Sequence, residues 1–153
     1  MSRVALLDVN LLVALFDPDH IHHDPAHDWF ADHEADGWAT CALTENGFVR
    51  VLANPSYGSP LNRPLELTRR LRQFCSSRHH RFWQDTASLL DEKVYNPALI
   101  RGHLQITDVY LLGLAKTMGG CLATFDGGIP LGSVVGATRA TLAVISHDGL
   151  RSP

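Results

Sequence analysis

The sequence lacks long hydrophobic runs, paired cysteine motifs and a signal peptide. No apolar stretch of its 153 residues approaches the ~20 residues that cross a bilayer, and no small-residue cleavage site follows an apolar segment near the N-terminus. Cys41, Cys75 and Cys121 are odd in number and widely spaced, so we expect buried, reduced thiols rather than disulfides. These absences favour a cytoplasmic protein that makes no contact with a membrane.

Motifs of several common enzyme classes are also missing. The chain has no recognisable Ser-His-Asp set and no Walker-type loop, and the glycines of residues 127–136 do not form a GxGxxG sequence. The net charge of −3 gives no sign of nucleic-acid binding by itself. Charge is unevenly distributed, however, because residues 17–36 hold seven acids and residues 63–81 hold six arginines. Each run is either a solvated helix face or a contact surface, and the arginines could meet RNA, a partner protein or a second subunit.

The pattern of apolar segments predicts a single α/β domain over residues 1–153. The apolar share of 45% with 19% charged residues is that of an ordinary globular protein. Short apolar segments alternate with longer amphipathic ones, which is typical of a parallel sheet with helices on both faces. The predicted strands are residues 3–7, 38–43, 81–84, 121–126 and 141–145. The predicted helices are residues 10–16, 23–36, 44–53, 63–77 and 107–120, with Asn10, Asp24 and Thr44 as N-caps.

Acidic residues follow the predicted strands at positions where ligands bind. Asp8 comes directly after the first strand and Asp126 ends the fourth, and open parallel sheets bind ligands at the carboxyl ends of their strands. Glu45 and Asp108 each follow a threonine that can cap a helix, and such an acid on its own is most often part of the cap. An ionised Asp8 in apolar surroundings needs compensation. Carboxylates gathered at one edge therefore predict a shared cation, Mg²⁺ or Mn²⁺ as a substitute.

The same residues lie in motifs that resemble a known family. The motifs are "LLDVNLLVAL" with Asp8, "LTENGFVRVL" with Glu45, "ITDVYLLGLA" with Asp108 and "LATFDGG" with Asp126. Together they resemble the PIN-domain ribonucleases, and most closely the VapC-type toxins of bacterial toxin–antitoxin pairs, over about residues 3–145. This resemblance implies a three-layer α/β/α sandwich with a mostly parallel central sheet. It also implies Mg²⁺-dependent endonucleolytic cleavage of RNA, homodimerisation and inhibition by a VapB-type antitoxin.

The resemblance assigns the catalytic roles to the same four acids. Asp8 and Asp126 are expected to bind the cation directly and Asp108 directly or through water, whereas Glu45 is expected to position a water or to hold a second ion. Thr124 either orients Asp126 or a water, or is merely structural. Mutual repulsion among the acids is expected to destabilise the metal-free fold, so that Asp126→Asn raises its melting temperature.

Two departures from the family and three alternative interpretations follow from particular residues. Many relatives have Ser or Thr where Asn10 stands, and many have a basic residue, able to contact phosphate, where Gly127 stands. Asp8 could instead be the covalent nucleophile of a phosphatase, although those enzymes usually carry a second Asp two residues further on. The chain could also be a non-catalytic RNA- or protein-binding module that keeps the acids as a structural ion site. His23 and His27, four residues apart on a predicted helix, permit a zinc ion.

A partner surface is predicted from surplus apolar residues. The segments 10–16 and 65–75 carry more apolar side chains than one thin helical layer obviously buries, and they could form a groove for an amphipathic helix. A basic side chain of the same partner, an arginine above all, could then enter the carboxylate pocket.

Overall fold

A five-stranded parallel sheet forms the centre of the part of the chain that the structure describes. The computed structural model describes residues 3–146. The strands are β1 (Ala5–Leu7), β2 (Trp38–Cys41), β3 (His80–Trp83), β4 (Cys121–Thr124) and β5 (Leu142–Val144). Every pairing is parallel, and the order across the sheet is β3-β2-β1-β4-β5. The predicted strands are confirmed, most of them shorter than expected.

Helices cover both faces of the sheet. Within residues 3–146 the α-helices are α1 (Val9–Phe16), α2 (His23–His33), α3 (Ala42–Ala53), α4 (Pro64–Phe74) and α5 (Ile106–Thr117). The first four pack against one face, and α5 packs against the other together with the loops around it. The three-layer α/β/α sandwich is confirmed, and its sheet is parallel throughout the described strands.

Alternate residues of β1 pack into two separate hydrophobic cores. Ala5 and Leu7 of β1 join the core beneath α1, whereas Leu6 between them joins the core beneath α5. All three side chains are buried. Because helices cover both faces, β1 is apolar at every position instead of alternating with polar residues.

The N-cap of α1 differs from the sequence prediction. Asp8 is the cap: its backbone is extended, and its Oδ1 accepts a hydrogen bond of 2.8 Å from the backbone N–H of Leu11. Asn10, the predicted cap, lies within the helix and is exposed. The prediction was wrong because the helix begins at Val9 and its cap lies two residues earlier than expected, so that Asp8 both follows the strand and caps the helix.

The other two predicted caps also lie inside their helices. α2 begins at His23, which places Asp24 in its first turn. α3 begins at Ala42, and Thr44 is its third residue, with a hydroxyl that accepts a hydrogen bond of 3.0 Å from the N–H of Cys41. Thr44 thus helps to satisfy the helix start from within the helix instead of preceding it.

His23 and His27 close the carboxyl end of α1. His23 Nδ1 donates to the carbonyl oxygen of Ala14 at 2.7 Å, and His27 Nε2 donates to that of Leu15 at 2.8 Å. The last carbonyls of a helix have no partner within the helix, so both contacts satisfy acceptors that would otherwise lack one. The four-residue spacing that permitted a zinc ion serves here to join α2 to α1.

Gly113 is expected to tolerate no larger side chain, although it lies in the middle of α5. A Cβ at this position would overlap the ring of Tyr95, which is buried and donates a hydrogen bond of 2.6 Å from its hydroxyl to the carbonyl of Tyr110. Gly→Ala within a helix ordinarily stabilises by about 1 kcal/mol. Here we expect Gly113→Ala to lower the free energy of unfolding by about 1–3 kcal/mol, because the core is overpacked. Denaturant unfolding measures this.

The control for this prediction is Gly102→Ala. Gly102 has extended backbone, and no atom lies within 4 Å of the point that a Cβ would occupy, so its replacement is expected to change stability little. Equal stability of Gly113→Ala and the wild type would contradict the close packing of Tyr95 on α5.

Two further sequence expectations concern membranes and thiols. No helix within residues 3–146 is long and apolar enough to cross a membrane. Cys41 and Cys121 are buried, free thiols, as predicted. The prediction was wrong for Cys75, which is half-buried because it follows α4 beside an open groove.

Candidate active site

Adjacent strands bring Asp8 and Asp126 to the same edge of the sheet. β1 and β4 pair in parallel, with Leu7 opposite Ala123, and the N–H of Asp8 donates to the carbonyl of Ala123 at 3.1 Å. Asp126 follows the end of β4 by two residues. The strand order changes direction between β1 and β4, and ligands of open α/β sheets bind at such a switch point.

Asp8 is a buried carboxylate with few sources of compensation. Only 4% of the residue is exposed. Burial is the main cause that raises the pKa of Asp8 to about 6, and the charges of Asp108 and Asp126 raise it further. Hydrogen bonds with the Thr124 hydroxyl and the Leu11 N–H act in the opposite direction. A cation at this edge of the sheet would offset the remaining free-energy cost of the buried, ionised carboxylate.

Asp108 and Asp126 complete a group of three interacting aspartates, which we call the aspartate cluster. Asp108 lies in the first turn of α5 and is half-buried, whereas Asp126 is exposed. Burial raises the pKa of Asp108, and the charge of Asp126 raises it further. The structure therefore brings together Asp8, Asp108 and Asp126, the three acids that the sequence predicts as metal ligands.

Thr124 connects two members of the aspartate cluster. Its side chain is fully buried, and its Oγ1 accepts a hydrogen bond of 3.1 Å from the N–H of Asp126 while the hydroxyl hydrogen-bonds to Asp8. The carboxylate of Asp126 in turn accepts from the N–H of Gly128 at 2.8 Å. Thr124 thus helps to orient both aspartates.

Glu45 lies in the first turn of α3, and its carboxylate is engaged elsewhere. Its Oε2 accepts a hydrogen bond of 2.7 Å from the hydroxyl of Thr40, which is fully buried on β2. The same hydroxyl contacts Nε2 of His80 at 2.8 Å. Sequence reasoning did not single out Thr40 or His80, because nothing in a strand threonine or a histidine at a strand start indicates that they will meet Glu45.

The donor chemistry of the aspartate cluster fits a hard divalent cation. Its members offer only carboxylate oxygens, which suit Mg²⁺ or Mn²⁺. The cluster is spread out: within residues 3–146, the only group of three metal-ligating side chains with atoms inside 4.8 Å is Glu45, Cys75 and His80. Such spacing is expected of like charges without a cation, and it suits Mg²⁺, which usually keeps several waters between itself and its ligands.

The class of protein follows from the strand order of the parallel sheet and from the aspartates at the point where that order changes direction. The family model of the PIN domain matches residues 5–130, and the chain belongs to the PIN-domain family.

Individual relatives place the chain more narrowly within that family. It is 44% identical over 143 residues to a protein named Ribonuclease VapC44 of Mycobacterium tuberculosis, covering 92% of this chain and 99% of that relative. It is 45% identical over 126 residues to Ribonuclease VapC38 of the same organism, covering 82% of this chain and 87% of the relative. Ribonuclease VapC39 is 38% identical over 122 residues, or 80% of this chain and 88% of its own length. The resemblance to VapC-type PIN ribonucleases is confirmed.

Proposed function

We propose that this protein is a metal-dependent endoribonuclease that acts as the toxin of a toxin–antitoxin pair. The observation that carries the proposal is the meeting of Asp8, Asp108 and Asp126 at the switch point of the sheet, in a chain 44% identical to a protein named a ribonuclease. The proposal includes a single PIN-like domain over residues 1–153, a homodimer and a cytoplasmic location.

Each acid has a stated part in the proposed reaction. Asp8, Asp108 and Asp126 would hold a cation, for which we propose Mg²⁺ with Mn²⁺ as a substitute. A bound divalent cation lowers the pKa of water and stabilises charge on a phosphoryl oxygen. Glu45, once its carboxylate is free of Thr40, would position the attacking water, and Thr124 holds Asp8 and Asp126 in place.

The geometry of Asp8 argues against its use as a covalent nucleophile. Its carboxylate is buried and accepts the N–H of Leu11 as the cap of α1, so attack on a phosphate would require it to leave both environments. The residue two positions further on is Asn10, which is exposed within α1. A nuclease in which Asp8 stays in place as a ligand agrees better with these contacts.

Incubation of the purified protein with total cellular RNA tests the proposed function. We expect cleavage with Mg²⁺, no cleavage in EDTA, and no cleavage by Asp8→Ala under either condition. Cleavage that persists unchanged in Asp8→Ala would identify a contaminating nuclease. Metal binding without cleavage by the wild type would favour the non-catalytic binding module.

A groove between α3 and α4 is the proposed site of the antitoxin. It has a volume of about 970 Å³, and its lining includes Val49, Ala53, Thr68 and Leu71. The sequence prediction that α1 forms part of such a groove was wrong, because residues 11–15 of α1 are buried in the core. An amphipathic helix suits an apolar groove of this kind. Since Glu45 lines the groove, a basic side chain of the antitoxin could reach the acidic residues from there.

Exposed arginines on α4 are expected to strengthen RNA binding. Arg69, Arg70 and Arg72 project from this helix and are all exposed. Replacing the three by Gln is expected to weaken RNA binding. The slope of the logarithm of the binding constant against the logarithm of salt concentration is expected to become shallower by about 2, because fewer counterions are released. Binding measured on an inactive Asp8→Ala background at several salt concentrations provides the slope.

A control triple carries the same change of charge on other exposed positions: Arg3, Arg101 and Arg139. We expect its salt slope to resemble that of the parent. An unchanged slope in the α4 triple would assign these arginines to contacts with the antitoxin or the second subunit.

A further inference from the structure

A second group of metal-ligating side chains lies beside the groove. Glu45, Cys75 and His80 each offer a ligand atom, and these atoms all lie within 4.8 Å of one another. They come from the first turn of α3, the C-cap of α4 and the first residue of β3. All three side chains are half-buried.

The surrounding structure orients these groups toward one another. The Thr40 hydroxyl donates to Glu45 Oε2 at 2.7 Å and lies 2.8 Å from His80 Nε2, so one buried side chain holds both the carboxylate and the ring. The ring of Trp38 packs against that of His80, with centroids 4.7 Å apart. Cys75 is within hydrogen-bonding reach of Thr40 as well. The group is therefore held together before any ion binds.

We propose that Glu45, Cys75 and His80 form a Zn²⁺ site distinct from the aspartate cluster. A thiolate, an imidazole and a carboxylate are ligands that Zn²⁺ combines in proteins, whereas Mg²⁺ does not favour sulfur. Ligand atoms around a tetrahedral Zn²⁺ lie roughly 3–4 Å apart. The present atoms lie within 4.8 Å of one another, so we expect small side-chain rotations to bring them to that spacing. The thiol proton of Cys75 passes to solvent when the sulfur binds.

The groove supplies both access and a fourth ligand. Glu45 and Cys75 line it, so an ion can enter from solvent and a water can complete the coordination. The proposal does not depend on ribonuclease activity, because the site contains none of the three aspartates. It does share Glu45 with the proposed catalytic residues.

Titration of the metal-free protein with Co²⁺, a spectroscopic substitute for Zn²⁺, tests the site. We expect a thiolate-to-Co²⁺ charge-transfer band that saturates at one equivalent per chain and disappears when Zn²⁺ is added. Cys75→Ser is expected to abolish the band. Since loss of an outer-shell partner alone costs about 10–100-fold in affinity, we expect His80→Ala, which removes a direct ligand, to weaken binding at least about 100-fold.

Two control variants make the result specific. Cys121→Ser removes a thiol that lies outside the group, and Asp126→Asn alters the aspartate cluster; both are expected to keep the band. The melting temperature of each variant without metal shows whether it is folded, and Zn²⁺ is expected to raise that of the wild type more than that of Cys75→Ser, which keeps the aspartate cluster. No band in the wild type, a band that survives in Cys75→Ser, or an end point at half an equivalent would each overturn the proposal.

Discussion

Asp8→Asn is expected to raise the melting temperature of the metal-free protein at neutral pH while it abolishes RNA cleavage. Asparagine keeps the oxygen that caps α1 at Leu11 but removes a buried charge that faces two other aspartates. A pKa of about 6, against the ordinary value of 3.8, corresponds to about 3 kcal/mol of lost stability at pH 7. For a chain of this length, the gain from the substitution is up to about 10 °C.

The pH dependence of stability shows whether lost charge or changed packing causes the higher melting temperature of Asp8→Asn. The folded protein holds the Asp8 proton more tightly than the unfolded chain does, so the wild type loses stability as the pH rises from about 4 to about 6. The advantage of Asp8→Asn is therefore expected at pH 7 in EDTA and absent below about pH 4. Thermal unfolding across this range, with cleavage assays beside it, provides the measurement.

Asp126→Asn and added Mg²⁺ are the comparisons for Asp8→Asn. Asp126 is exposed, so the buried charge of Asp8 is expected to destabilise the metal-free fold more than that of Asp126 does. The increase in melting temperature that the sequence predicts for Asp126→Asn is therefore expected to be smaller than that for Asp8→Asn. Mg²⁺ is expected to stabilise the wild type more than Asp8→Asn, because it binds the carboxylate that the variant lacks. A lower melting temperature of Asp8→Asn in EDTA at pH 7 would mean that the carboxylate charge itself supports the fold.

Val49→Glu is expected to release the antitoxin without affecting the nuclease. Val49 lines the groove between α3 and α4 and is half-buried. A carboxylate there would lose its water beneath the apolar face of the bound helix, which we expect to weaken the complex about 100-fold or more. Leu71, also in the groove, is only 6% exposed, so a charge there would threaten the fold itself.

The complex is measured by co-purification and titration with the antitoxin, which we expect to be encoded by a short reading frame directly upstream. Leu90→Glu is the matched control, because Leu90 is 91% exposed and lies away from the groove lining. Asp8→Ala is expected to bind the antitoxin less tightly but still to co-purify with it. Wild-type affinity of a folded Val49→Glu would place the antitoxin on another surface.

Most of the fold could be predicted from the sequence because buried parallel strands leave a strong local signal. The strands before Asp8 and Asp126 are buried throughout and apolar apart from Thr124, and the structure confirms that the two are neighbours. The N-caps were harder to predict. Whether Asp8 or Asn10 caps α1 depends on where the helix begins, and a shift of two residues changes which oxygen reaches the free N–H groups.

The sequence by itself determined the layer architecture and the gathering of aspartates at one edge of the sheet. Both follow from local patterns, since strands alternate with helices, and Asp8 and Asp126 come just after the ends of strands. Asp108 joins them from the first turn of α5. Only the tertiary structure decided the surroundings of Glu45, because Thr40 and His80 are 40 residues apart in the chain and meet through the pairing of β2 with β3. The groove likewise depends on α3 and α4 lying side by side while α1 is buried. Such contacts join residues distant in sequence, and no local pattern specifies them.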